Sequence, residues 1–334
     1  MKLKLIALGV LAAAAVGASA QNLNGAGATF PYPIYSKWFS EYSQQNAGVK
    51  INYQSIGSGG GIRQVSEGTV DFGASDGPMS DEQMANAKVK VQHIPTVLGA
   101  VVPAYNVPGV SGEVKFTPDV LSGIFLGKIS RWNDKAIASA NPGINFPDKE
   151  IIVVHRSDGS GTSFIWTDYL SKVSADWKTQ VGADTSVKWP VGMGGKGNEG
   201  VSGLVHQLSG SIGYVELIYA VQQKINYGSV RNSSGNFVKA SLESVTAAAA
   251  SAPKMPADFR VSITNAPGKD AYPIASFTWL LIPTPSKDPN KGKILHDFLG
   301  WMVTDGQQMT SALTYTPLPD NVAAKVKEAI KQVT

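Results

Sequence analysis

Ile34, Trp38 and Tyr42, with Tyr35 and Phe39 beside them, fall on one stripe and predict a helix over residues 33–46, with Pro33 suited to its first turn. Val49, Ile51 and Tyr53 then alternate as a strand does. A glycine-rich turn at 57–61 leads into a short helix containing Ile62 and Val65, followed by a strand over 70–74 and a helix over 81–87. Strand-like sequence continues through 94–102. Thr117-Pro118-Asp119 has the order of an N-cap and a first-turn proline, opening a helix toward Phe125. Residues 151–154 are four consecutive Ile and Val, the signature of a strand buried on both faces. Further helices are expected at 162–171, 199–208, 241–250, 292–303 and 321–332, and further strands at 212–215, 260–264 and 278–282. This alternation of strand, loop and helix predicts an α/β protein with parallel sheets covered by helices. No internal repeat is present, and the Ala247–Ala250 tract reads as helical scaffold.

The first residues do not fit that pattern. Lys2 and Lys4 precede an apolar run from Leu5 to Val16, and Ala18-Ser19-Ala20 completes an Ala-x-Ala ending. This is the form of a secretory signal peptide, residues 1–20, cut after Ala20; the run is too short for a membrane anchor. Its loss removes two of the 29 basic residues and leaves 27 against 25 acidic ones. So balanced a chain, without a dense Lys/Arg run, has no field for nucleic acid or lipid head groups. The chain has no cysteine, which excludes disulfides, thiolate metal sites, a cysteine nucleophile and a lipid-bearing cysteine at the new N-terminus. At 334 residues, 43% of them hydrophobic, the chain can form one large domain or two lobes with proper cores.

Three segments share one design, in which a strand leads through small hydroxyl and glycine residues into a helix start. They are Gly25-Ala26-Gly27-Ala28-Thr29-Phe30, Ile56-Gly57-Ser58-Gly59-Gly60-Gly61 and Arg156-Ser157-Asp158-Gly159-Ser160-Gly161-Thr162. Helix N-termini leave N–H groups unpaired and partly positive, so each such loop can donate to an oxyanion. One alone is usually a plain turn. Three, one of them led by arginine, fit a tetrahedral anion held by many directed hydrogen bonds. The guanidinium of Arg156 can reach two anion oxygens at once, and Asp158 can hold it in orientation. Asp76 stands apart, because a carboxylate facing the pocket repels sulfate but accepts from the P–OH of phosphate. A buried acceptor without a donor costs roughly 1–3 kcal/mol, and more when charged. Selection by protonation state follows.

Gly73-x-Ser75-x-Gly77 has the form of a hydrolase nucleophile elbow, which would make the protein a secreted serine hydrolase using Ser75 with His206 or His296; Pro78 is awkward for the helix that should follow. Gly192-x-Gly194-x-x-Gly197 follows Trp189-Pro190 and reads as a surface or hinge-side loop, not a dinucleotide fingerprint. His206 is expected to be partly packed, and the four histidines lack metal-site spacing. Sulfate, molybdate or an organic phosphate remain alternative ligands; Asp76 disfavours the fully deprotonated anions.

The stretches GAGATFPYPIYSKW (25–38), YQSIGSGGGIRQ (53–64), VDFGASDGPMSDE (70–82), RSDGSGTSF (156–164), VKWPVGMGGKGNEG (187–200) and GSIGYVE (210–216) occur in collinear order. In them the chain resembles the periplasmic phosphate-binding proteins of bacterial high-affinity phosphate ABC transporters. The resemblance implies a two-lobed periplasmic-binding-protein fold of type II, each lobe a mostly parallel sheet flanked by helices, the lobes joined by hinge strands near 101–105 and 273–281. Residues 21–103 with 274–334 would form the first lobe and residues 104–273 the second. It places the phosphate contacts on Thr29, Phe30 (through its backbone N–H), Ser58, Asp76, Arg156, Asp158, Ser160, Gly161 and Thr162. It implies inorganic phosphate as ligand, no cofactor, no chemistry, delivery to inner-membrane permease subunits with their ATPase, a periplasmic location and a monomer. His155 and Gly59 depart from the family's common arginine and serine, at positions that are not contacts.

Overall fold

The computed structural model describes residues 21–333, so the predicted leader and its cleavage point after Ala20 lie outside the described residues. The chain opens as β1 (Gln21–Gly27), α1 (Tyr32–Gln45), β2 (Val49–Ser55), α2 (Ser58–Glu67), β3 (Phe72–Ser75) and α3 (Asp81–Asn86). β1 lies between β2 and β3 and runs parallel to both, as successive strand–helix–strand crossovers require. α1 buries Ile34, Tyr35, Trp38, Phe39 and Tyr42, the stripe read from the sequence. Phe39 packs against Tyr53 of β2 and Phe72 of β3 with ring centroids 5.8 and 5.7 Å apart. Such pairs add about 0.5–1.5 kcal/mol each beyond the area they bury.

α2 makes a closer approach. A Cβ on Gly61 would lie 2.6 Å from both the Gly27 Cα and the Ala74 carbonyl oxygen. Only glycine lets the helix settle on the ends of β1 and β3, and that contact fixes where its N-terminus points.

β4 (Val91–Asn106) is a strand of 16 residues. It is followed by β5 (Lys115–Phe116), α4 (Pro118–Phe125), α5 (Lys135–Ala140), β6 (Ile152–Arg156), α6 (Gly161–Val173) and α7 (Ala175–Gln180). Then come β7 (Met193–Gly195), α8 (Gly197–Gln207), β8 (Ser211–Glu216), α9 (Leu217–Gln222), β9 (Asn226–Tyr227), β10 (Ser229–Arg231), β11 (Phe237–Val238) and α10 (Leu242–Ser251). β12 (Ala275–Pro283), α11 (Pro289–Met302) and α12 (Asp320–Ile330) complete the chain. The main sheet has the order β2-β1-β3-β12-β4-β8-β6-β7, with β9 also on β4; β11-β10-β5 form a small second sheet.

β12 and β8 both run antiparallel to β4, β12 on its Val91–Ala100 stretch and β8 on Val101–Asn106, so β4 changes partner between Ala100 and Val101. Outside this seam the pairs β1–β2, β1–β3, β6–β7 and β6–β8 are parallel. The fold is therefore the expected α/β class, with the antiparallel pairing of the main sheet concentrated on β4 and β12. The C-terminal segment returns to α1, where Phe298 of α11 packs on Phe39 at 5.4 Å and Trp38 Nε1 donates to the Gly306 carbonyl at 2.7 Å.

Several local expectations shift. Residues 260–264 alternate but form no strand, because Phe259 takes a positive φ of 60° and Arg260 turns outward. Its guanidinium bonds Asp258 and Asp81 at 2.8 Å and the Met79 carbonyl at 2.9 Å. β3 starts two residues later than predicted. The Asp71 carboxylate there accepts the Asn24 N–H at 2.8 Å and pairs with Lys291 at 2.9 Å. Among the described residues no helix is long and apolar enough to cross a membrane.

Candidate functional site

The three glycine and hydroxyl loops converge at the carboxyl ends of β1, β3 and β6 and the N-termini of α2 and α6. The Gly59 N–H donates to the Gly159 carbonyl at 2.9 Å, joining the second loop to the third. A Cβ on Gly161 would run into Ser58 Oγ and lie 2.6 Å from Asp76 Oδ2, so Ser58, Asp76 and Gly161 meet at one point. Ser58 opens α2 after Gly57, whose φ of 87° is open to glycine and strained for other residues. The Asp76 N–H donates to Ser58 Oγ at 3.1 Å.

Donors dominate this place. Among the described residues the backbone N–H groups of Phe30, Ser58, Gly161 and Thr162 have no protein acceptor, the last three because they sit in first helical turns. The Phe30 ring is buried and its carbonyl accepts from the Tyr315 hydroxyl at 2.5 Å, so the N–H is what it can offer a ligand. Ser160 is more committed. Its N–H donates to the Thr185 carbonyl at 2.8 Å and its Oγ caps α6 by accepting the Ser163 N–H at 3.0 Å, which leaves its hydroxyl proton.

Arg156, at the end of β6, is 3% exposed. Its Nε and Nη2 donate to the two carboxylate oxygens of Asp158 at 2.8 and 2.5 Å, the planar fork geometry that suits guanidinium. Burial raises the Asp158 pKa, but the Arg156 bonds and charge and the Gly197 N–H at 3.0 Å outweigh it and hold the carboxyl below its ordinary value. Nη1 is turned the other way, 3.4 Å from Thr162 Oγ1. The Tyr214 hydroxyl accepts the Arg156 N–H at 3.0 Å and lies 2.6 Å from Ser163 Oγ, tying the arginine loop to α6.

Asp76 is the acceptor among these donors. It is 1% exposed, and the Thr278 hydroxyl of β12 donates to its Oδ1 at 2.8 Å. Burial pushes its pKa up to about 7, against the smaller opposing effects of Thr278, Arg156 and Ser58. A carboxyl whose folded pKa lies above its unfolded value stabilises the fold fully below about pH 4, and this contribution is lost as pH rises through about 7. Asp76 therefore costs the ligand-free protein up to about 4 kcal/mol at pH 8 relative to pH 4. We expect Asp76→Asn, free of ligand, to melt several degrees above the parent at about pH 8 and to lose that advantage at about pH 5. Parallel melting curves at both pH values would show that the carboxylate is not desolvated.

Residues 12–306 match the PBP superfamily domain. A phosphate-binding protein PstS of Xylella fastidiosa is 48% identical over 307 residues, spanning 91% of this chain and 84% of that one. That of Pasteurella multocida is also 48% identical, over 315 residues, spanning 94% and 91%. The chain belongs to the family of PstS phosphate-binding proteins. Solved structures agree in fold. A high-affinity periplasmic phosphate-binding protein bound with phosphate superposes with a TM-score of 0.73 at 21% identity, covering 92% of this chain and 93% of that one. An ABC-type phosphate transport receptor of Vibrio cholerae gives 0.58 at 15%, covering 89% and 100%.

In this PstS-family chain the structure adds residues that sequence reasoning did not single out. Residues 193–195 are strand β7 rather than a surface loop, and Gly197 starts α8, which delivers Asn198 to the site. The Asn198 amide donates to Thr29 Oγ1 at 2.7 Å and to Thr162 Oγ1 at 3.0 Å. The available signal was a glycine-rich turn between a strand and a helix, the same design as the other three loops. Thr278 was hidden in the apolar run of β12; its hydroxyl was the clue.

The remaining candidates go elsewhere. Ser75 Oγ donates to the Gly77 carbonyl at 2.5 Å and accepts the Gly77 N–H at 3.2 Å, closing its own turn. His206 is exposed on α8 rather than partly packed, and His296 bonds Asp297 on α11. Among the described residues no three His, Asp or Glu side chains gather as a metal site.

Proposed function

We propose that the protein captures one inorganic phosphate ion between two lobes, residues 21–103 with 274–334 and residues 104–273, and releases it chemically unchanged to an ABC-type phosphate permease. The N–H groups of Phe30, Ser58, Gly161 and Thr162, the hydroxyls of Thr29, Ser58, Ser160 and Thr162, and the Arg156 fork supply the donors. Asp158 orients the arginine, and Asp76 accepts the proton that phosphate keeps near neutrality and sulfate lacks. No cofactor takes part. The single observation that carries this reading is a fully buried carboxylate set among converging donors.

The hinge in this reading is the seam where β4 changes partner. The Val101 N–H donates to the Ile274 carbonyl and the Tyr272 hydroxyl donates to the Val101 carbonyl, each at 2.9 Å, so the two crossing segments are fastened to each other. Closure of lobes about such strands removes the anion from water and offers a permease a shape to distinguish. Export by residues 1–20 would place this capture in the periplasm, where a monomer hands phosphate to membrane subunits driven by an ATPase.

Calorimetric titration of ligand-stripped protein tests the reading directly. Phosphate and arsenate, both protonated at about pH 8, should bind; sulfate should bind at least about 100-fold more weakly than phosphate, the size expected for a charged acceptor left unpaired. Equal binding of sulfate and phosphate, or of neither, rejects it.

A further inference from the structure

We propose that Asn198 is a specificity-determining positioning residue, which turns the hydroxyl protons of Thr29 and Thr162 toward the bound oxyanion and so leaves Asp76 as the acceptor that faces it. The inference rests on the phosphate reading above.

The orientation of the amide is settled by its other end. Asn198 Oδ1 accepts the Glu216 N–H at 2.9 Å, and Glu216 is itself held at the start of α9, where its Oε2 accepts the Ile218 N–H at 2.7 Å. Both hydrogens of Nδ2 are thereby directed away from Glu216, to Thr29 Oγ1 and Thr162 Oγ1. Each of these oxygens takes a second donor. Thr29 Oγ1 accepts the Asn198 N–H at 3.2 Å, and Thr162 Oγ1 accepts from Arg156 Nη1 at 3.4 Å. A hydroxyl has one proton and two lone pairs. With both lone pairs engaged, each threonine has only its proton left to offer. Asn198 and Thr162 are fully buried and Thr29 is 2% exposed, so water does not compete for these positions.

A hydroxyl free to rotate can accept from a P–OH as readily as it can donate to a P–O⁻. Two such hydroxyls would let the site accommodate a doubly protonated phosphate and would blur the selection that Asp76 imposes. Locking them as donors removes that option. The same amide also reaches across the cleft, because Thr29 follows β1 in one half and Thr162 lies in α6 in the other. The lock is thus complete only when the loops are together.

Phosphate affinity of Asn198→Ala, measured by calorimetry at about pH 8.5 and about pH 5.5, tests the role. The charged and titratable groups about the pocket and the amide include Asp76, Arg156, Asp158, Glu199, Glu216, Tyr214 and Tyr219, with Tyr35, Tyr53 and Tyr315 near Asp76; the substitution leaves all of them in place, so the comparison is with the parent protein at each pH. At about pH 8.5, where phosphate carries one proton, affinity should fall about 10- to 100-fold. At about pH 5.5, where it carries two, the freed hydroxyls can accept the second proton, and the loss should be roughly ten times smaller. Asn198→Ser is too short to bridge both threonines and should show the same asymmetry. Equal losses at both pH values, unchanged affinity, or failure of both variants to fold would each overturn the proposal, the last by making Asn198 a structural residue. Failure of the parent protein to bind phosphate would instead remove the reading on which it rests.

Discussion

Arg156→Ala should weaken phosphate binding by about 2–4 kcal/mol, roughly 30- to 1,000-fold in the dissociation constant. Two effects add. The anion loses the charge-assisted bonds of a guanidinium that is already desolvated, at 3% exposure. Asp158, whose carboxylate receives both Nε and Nη2, is left with the Gly197 N–H and no counter-charge beside the incoming anion. Arg156→Lys should fall between the two, because an ammonium restores the charge but cannot make the paired bonds to Asp158 and reach the ligand together. The measurement is calorimetric titration, with melting curves to establish that the variants fold. A dissociation constant unchanged by Arg156→Ala would place the anion elsewhere in the molecule.

Asp76→Asn should reduce the preference for phosphate over sulfate by at least about tenfold, chiefly by improving sulfate. The asparagine amide fits the same space, accepts through its oxygen and donates through its nitrogen, so it no longer repels an anion that carries no proton. A pH dependence follows from the same residue. With its carboxyl raised to about 7, Asp76 becomes neutral as pH falls through neutrality, and a neutral carboxyl can donate to sulfate. The parent protein should therefore bind sulfate more tightly at about pH 5.5 than at about pH 8.5, and Asp76→Asn should abolish most of that difference. Loss of phosphate and sulfate affinity by the same factor, with no change in pH profile, would count against selection by this carboxylate. Together with the expected gain in ligand-free stability, the substitution would show one carboxylate costing the fold what it contributes to recognition.

The features that could be read from the chain alone were local ones. The helical stripe of α1 is a matter of spacing between Ile34 and Tyr42, and the donor loops are recognisable because glycine, serine and threonine before an apolar stretch imply a helix N-terminus with free N–H groups. Asp76 and Arg156 could be picked out only by their place beside such loops, since a turn aspartate and a surface ion pair are their commoner uses. What neighbours do to a residue was not legible. β4 is one strand over Val91–Asn106, yet Pro95, Gly99 and Pro103 interrupt its pattern, and only pairing with β12 and then β8 makes it continuous. Residues 260–264 have the alternation of a strand, but the positive φ of Phe259 just before them is not visible in that pattern. Asn198 and Thr278 acquire their roles from Thr29 and Asp76, which lie 169 and 202 positions away along the chain.

The chain's own chemistry thus settles which segments can donate to an anion, since a helix start has unpaired N–H groups wherever it lies. Folding alone decides that these segments meet at one point and that Asp76 is buried deeply enough for its pKa to rise to about 7. Those properties come from desolvation and from hydrogen bonds between distant residues, and both exist only once the halves have packed together.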